Sequence, residues 1–267
     1  MTVLIKYPHQ TKEGNKDFFK RKNQELTDLD WAKWAGWFDT DGSFEVSRTR
    51  GVRKTIIRRN ATLRLKDRQP IELFSKIFEG SLIYSEYKTI TPQPYRKEYM
   101  AQVYTAKVCG EKAIWFTKNV FPYLIKEEKK DYAAKLLGYK PESKNFTNWT
   151  AAEITHYLAT ALEGDGSVQC RSSKKTKYIT IRIKSSDMQY LSDIKYITEK
   201  KLTLTSNLRE HSTYKTRAGI KTKSELFIHC SQRNPDNLYF FQNLIKDNVM
   251  TLDRKKQRIQ EFVTYVS

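Results

Sequence analysis

Apolar spacing along the chain switches between two periods, and the switch is written twice. Trp31, Trp34, Ala35 and Phe38 recur at helical intervals and stop at Gly42; Leu158, Ala161 and Leu162 do the same and stop at Gly166. Each predicted helix opens on a capping box, Thr27-Asp-Leu-Asp30 and Thr150-Ala-Ala-Glu153, the first with Leu26 as a hydrophobic staple. After each glycine the period becomes two. Ile57, Ala61, Leu63 and Leu65 alternate with Arg58, Asn60, Thr62, Arg64 and Lys66, and Ile179, Ile181 and Ile183 alternate with Thr180, Arg182 and Lys184. That is the pattern of a half-buried strand with a basic outer face. Aligning Thr62-Leu-Arg-Leu-Lys66 with Thr180-Ile-Arg-Ile-Lys184 gives an offset of 180 − 62 = 118, against 165 − 41 = 124 for the preceding acids, so the first hairpin of the second copy reads as six residues shorter.

Both copies continue alike: a helix (Ile71 to Phe78; Met188 to Lys200), two strands (Ser81 to Tyr87 and Tyr99 to Ala106; Leu202 to His211 and Lys223 to Cys230), then closing helical segments with Lys129-Lys130 and Lys255-Lys256. The reading is an α+β chain of two αββαββα units at 26–137 and 149–267, joined by a turn-rich linker at 138–148 and preceded by a polar, basic extension at 1–25.

The acids matter because of where they fall. A helix C-terminus carries partial negative charge, yet Asp41 and Asp165 sit where the two repeated helices end, each before a Gly suited to a left-handed cap. Something positive has to compensate. If the two helices pack together, their carboxylates approach, and only a divalent cation or a raised pKa makes that tolerable. An EF-hand does not fit, because the Gly required at its sixth position would be Phe44.

Charge extends the picture. Lys plus Arg is 49 against 30 Asp plus Glu, a net +19 spread through the predicted strands, so a polyanion is the expected partner. No apolar run approaches the roughly 20 residues of a membrane span. Cys109, Cys170 and Cys230 form no CxxC pair, which fits a reducing, intracellular setting, and His9, His156, His211 and His229 are too dispersed for a zinc or HNH centre.

The stretches Trp34-Ala-Gly-Trp-Phe-Asp-Thr-Asp-Gly42 and Leu158-Ala-Thr-Ala-Leu-Glu-Gly-Asp-Gly166 resemble the paired motifs of LAGLIDADG homing endonucleases in their single-chain form. The departures are Trp34 and Trp37 at usually aliphatic places, Thr160 for a Gly and Glu163 for the first Asp. The resemblance implies two β-sheets forming a saddle on duplex DNA, the motif helices packed as the domain interface, and a monomeric, metal-dependent enzyme that cuts both strands of a long target.

It also implies that Asp41 and Asp165, with the carbonyls of Thr40 and Gly164, bind Mg²⁺, with Mn²⁺ or Ca²⁺ able to occupy the same sites. Lys129 and Lys255 are the implied catalytic lysines, with Lys126, Lys130 and Lys256 as neighbouring candidates. DNA contacts are expected from Ser43, Arg48, Arg58, Asn60, Arg64 and Lys66 in one copy and from Ser167, Thr180, Arg182 and Lys184 in the other, with Arg64 and Arg182 at equivalent places. Asp39 and Glu163 are expected to cap or pair rather than hold metal, and Trp34, Trp37 and Leu158 to pack at the interface. The alternative on the same scaffold is an intron maturase that binds RNA. The family's occurrence in organellar introns is the basis for expecting a mitochondrion or chloroplast.

Overall fold

The computed structural model describes residues 12–50, 55–78, 82–90, 99–173, 176–216, 219–246 and 249–266. Val3 to Ile5 and Ser81 lie outside them.

The first half runs α2 (Asp28–Thr40), β1 (Gly42–Arg50), β2 (Thr55–Leu65), α3 (Arg68–Ile77), β3 (Leu82–Ile90), β4 (Tyr99–Cys109), α4 (Gly110–Val120) and α5 (Glu127–Leu137), preceded by α1 (Lys12–Glu25). The second half repeats the order: α6 (Ala151–Asp165), β5 (Gly166–Ser173), β6 (Thr176–Ser185), α7 (Met188–Lys201), β7 (Ser206–Thr216), β8 (Gly219–Ser231), α8 (Leu238–Leu244) and α9 (Asp253–Val266). The two antiparallel sheets have the same order, β1-β2-β4-β3 and β5-β6-β8-β7. This is the twofold α+β architecture the sequence predicts, with two closing helices in each half.

Both capping boxes form. Asp30 accepts from the Thr27 backbone N–H at 2.9 Å, and Glu153 from that of Thr150 at 2.7 Å. The glycines that end the motif helices serve a different purpose from the one expected. Neither is left-handed: the cap of α2 is Asp41 at φ −115°, and Gly166 has φ −98°. They are glycines because the chain folds back sharply. A Cβ on Gly42 would lie 2.6 Å from Phe38 Cα, and one on Gly166 2.7 Å from Leu162 Cα.

Strand register corrects the sequence alignment. Gly42 pairs with Leu63 and Gly166 with Ile183, so the second strands are offset by 183 − 63 = 120. The helix caps Asp67 and Asp187 share that offset, 187 − 67 = 120. The second hairpin is therefore four residues shorter, 124 − 120, not six. Lys184, not Arg182, is the counterpart of Arg64. A slip of two keeps every side chain on its face, so alternation could not reveal it.

Several smaller expectations also change. The segment 202–205 is not strand: Leu202 caps α7, Thr203 takes φ +53°, and β7 begins at Ser206. Ile57 stands 51% exposed because the β1–β2 hairpin runs past the core. The extension shows little periodicity, yet α1 packs on the first half, where Phe18 and Phe19 meet Trp115 edge-on and stacked.

Both cores mix aliphatic and aromatic side chains, the second including Phe240, Phe241 and Phe262. Trp34, Phe38, Phe74 and Phe116 form a buried aromatic cluster in the first half; Leu162, Ile181, Ile183 and Leu191 belong to the second. Trp34 thus packs into its own half. Trp37, fully buried, leans on Trp34 at 4.9 Å.

Candidate metal centre and nucleic-acid interface

The centre is built where α2 and α6 touch. A Cβ on Gly36 would sit 2.2 Å from Thr160 Oγ1 and 2.4 Å from the Tyr157 carbonyl; one on Gly164 would sit 2.2 Å from Thr40 Oγ1 and 2.5 Å from Asp41 Oδ2. Each glycine opposes a threonine, and those threonines are the pseudo-symmetric counterparts of the glycines, 160 − 36 = 164 − 40 = 124. The substituted Thr160 does not hold the helices apart. Its hydroxyl crosses the contact to donate to the Lys33 carbonyl at 2.7 Å.

Backbones this close bring the terminal acids together. Burial pushes the Asp41 carboxyl up to about 6, and the Asp165 charge pushes the same way. Asp41 Oδ2 is buried and has no hydrogen-bond partner among the described residues. Asp165 is more open, with Lys126 Nζ 3.6 Å from its Oδ2. No cluster of three or more His, Cys, Asp or Glu occurs among the described residues. The donors at the helix feet are therefore two carboxylates and backbone carbonyls. Such an all-oxygen set with one orphaned buried atom suits a hard divalent cation.

The lysines expected to be catalytic answer the helix-end charge. Lys255 Nζ donates to the carbonyls of Leu162, Glu163 and Gly166 at 2.6, 2.8 and 2.8 Å. Those contacts use all three of its protons. Burial pushes Lys255 down to about 8, and Arg254 adds to the effect, so it is still a cation at neutral pH. Lys129 Nζ donates to the Gly42 carbonyl at 2.5 Å, and burial lowers its pKa too. Each lysine fixes the end of the helix that carries an acid.

The first acids cap the chain that enters the closing helices. Asp39 accepts from Ile125 N at 2.7 Å, Lys126 N at 3.3 Å and the Tyr157 hydroxyl at 2.6 Å. Glu163 accepts from Thr251 N and from Leu252 N, the latter at 2.7 Å. Burial raises Asp39 to about 6 and Glu163 to about 7, partly offset by those same donors.

The strand residues divide by register. Ser43 opposes Thr62, Ser167 opposes Arg182, and Arg64 opposes Thr105, all on the faces turned away from the core. Arg58 is exposed on that face, whereas Arg48 opposes Ile57 and lies on the other. Asn60 and Thr180 are buried, Thr180 in a 3.0 Å contact with His229 Nδ1; Lys66 follows the end of β2. Pattern reading missed three members of these faces. Lys107 opposes Thr62. Arg209 grips the fully buried Glu225 through Nε and Nη2 at 2.9 and 2.6 Å, while Lys184 lies 3.7 Å from the same carboxylate. Strand pairing sets Glu225 opposite both Lys184 and Arg209, which is what surrounds it with cations.

With this geometry in place, the class is a two-domain protein whose paired helices carry one acid each at the domain joint. Residues 152–246 match the family model described as LAGLIDADG-like domain. The chain has the fold of the LAGLIDADG homing endonucleases. It is similar to I-GzeII in complex with its DNA target (14% identity, TM-score 0.53, 90% of each chain) and to I-SmaMI bound to uncleaveable DNA (15%, 0.50, 90% of this chain and 91% of that one). I-AabMI bound to uncleaved DNA is similar to the same degree (12%, 0.50, 90% of each chain). No curated protein matches by sequence. No helix among the described residues is long and apolar enough to cross a membrane.

Proposed function

We propose that this protein is a site-specific endonuclease that uses divalent metal to cut both strands of a long duplex DNA. The observation that carries the reading is the buried Asp41 Oδ2 against Asp165 at the foot of the packed helices, which accepts no hydrogen bond among the described residues and is reached by Lys126, Lys129 and Lys255 only through their charge. Asp41, Asp165 and the carbonyls of Thr40 and Gly164 would hold Mg²⁺, or Mn²⁺ or Ca²⁺ in its place. When bound, such a cation supplies charge neutralisation at the scissile phosphate and an activated water.

The chain's own part is to position. Lys129 and Lys255 pin the helix ends, Asp39 and Glu163 pin the segments that carry those lysines, and the close Gly36 and Gly164 contacts fix the spacing between acids. The basic sheet faces would hold phosphates and, through arginines such as Arg64, Arg182 and Arg209, read base edges. Both acids come from one chain, so the active form is a monomer. The fold's DNA-bound relatives support duplex DNA as the partner.

The test is incubation of the protein with a randomised duplex pool in Mg²⁺, followed by sequencing of the ends. Recurrent cut sites that vanish in EDTA support the proposal; a pool left intact at every Mg²⁺ and Mn²⁺ concentration overturns it.

A further inference from the structure

The two acids have unequal surroundings: burial sets Asp41 apart, and one position on the facing segment widens the difference. The segment entering α5 carries Lys126; its counterpart entering α9, 126 residues on by the Lys129 and Lys255 correspondence, is Leu252. Lys126 crosses from the first half to the second. Its ammonium lies 3.6 Å from Asp165 Oδ2 and rests 4.5 Å from the centre of the Tyr190 ring. The reciprocal arrangement cannot form, because Leu252 has no charge and Pro70 stands where Tyr190 has its counterpart, 190 − 120 = 70. Lys255 cannot substitute, since all three of its protons go to carbonyls, and Lys129 is drawn toward the Gly42 carbonyl on the Asp41 side.

We propose that Lys126 is a positioning residue, a tethered counter-cation that holds Asp165 until a divalent cation displaces it, leaving Asp41 as the acid that first demands metal. The proposal rests on the metal reading above. The aromatic face locates the ammonium, and the attraction to a carboxylate 3.6 Å away is strong enough to compete with a cation for the same oxygen.

The test titrates the full chain with Mn²⁺ alone, following free Mn²⁺ by electron paramagnetic resonance. Lys126→Leu copies the side chain the second half already has and should tighten Mn²⁺ binding about fivefold or more. Lys126→Arg should behave as wild type, and in an Asp165→Asn background the gain from Lys126→Leu should shrink to less than about half, the remainder being the pull of Lys126 on Asp41. Two results overturn the proposal alone: Mn²⁺ binding that Lys126→Leu leaves unchanged or weakens, and an equal gain in the Asp165→Asn background. If neither the wild type nor any variant binds Mn²⁺, the metal reading itself falls, and this proposal with it.

Discussion

The two halves share a fold and differ in how each treats its acid. In the first, α2 buries its outer side in an aromatic cluster, and Asp41 ends the helix partly buried with an unpartnered oxygen. In the second, α6 packs in a mixed aliphatic and aromatic core, and Asp165 ends the helix in the open beside a cation from the other half. The anchoring differs as well: Lys129 holds one carbonyl where Lys255 holds three. Duplication within one chain frees the halves from identity. A symmetric pair of subunits must give both acids the same surroundings, whereas here burial, anchoring and differences of the Lys126 and Leu252 kind make them unequal.

That comparison can be broken at its joint. Gly36→Ala places a methyl 2.4 Å from the Tyr157 carbonyl, in backbone that cannot yield cheaply. It should cost about 3 kcal/mol, read as a fall of several degrees in thermal midpoint. Adding Thr160→Gly should restore part of the loss by removing the 2.2 Å hydroxyl contact. An Ala variant as stable as wild type would mean that the helices are not in backbone contact.

Asp41→Asn sharpens the difference between the acids. The folded pKa of Asp41 is raised to about 6 from 3.8, so the folded state holds the proton more tightly than the unfolded chain. The ionised carboxylate therefore destabilises the fold above about pH 6, and that cost disappears as pH falls through the folded value toward 3.8. At pH 7.5 the Asn variant should be more stable than wild type by up to about 3 kcal/mol, and near pH 4 the two should converge. Denaturant melts across that range test the sign. Asp165→Asn, which strands Lys126, should give no comparable gain.

Loss of the helix anchors should be graded. Lys255→Met removes three charge-assisted bonds and should cost about 2 to 3 kcal/mol; Lys129→Met should cost roughly 1. Equal losses would contradict the asymmetry. The smallest effect concerns the second sheet: if the proposed function holds, Glu225→Gln should loosen Arg209 and Lys184 and weaken DNA binding by about threefold, with little change in cutting rate.

Much of this organisation was legible in the chain. The duplicated caps, the switch from helical to alternating period and the acids at helix ends gave two αββαββα units and placed Asp41 and Asp165 at their joint. What escaped depends on pairing across strands or halves. The two-residue slip that matched Arg64 with Arg182 preserves every facing, so no periodicity could expose it. Gly42 and Gly166 looked like left-handed caps because the residue type is the same for that role and for a fold with no room for Cβ. Position alone singled out Lys129 and Lys255, but the carbonyls that their ammonium groups touch are set by how distant segments fall. Arg209 acquires its setting only when β7 and β8 pair around Glu225.

The most direct measurement is double-strand cutting of one selected target in Mg²⁺ by wild type, Asp41→Asn and Asp165→Asn in parallel. If the two acids form one composite centre that neither half builds alone, each single variant loses double-strand product by roughly a hundredfold or more while still binding the target. Linear product at the wild-type rate from either variant would contradict it.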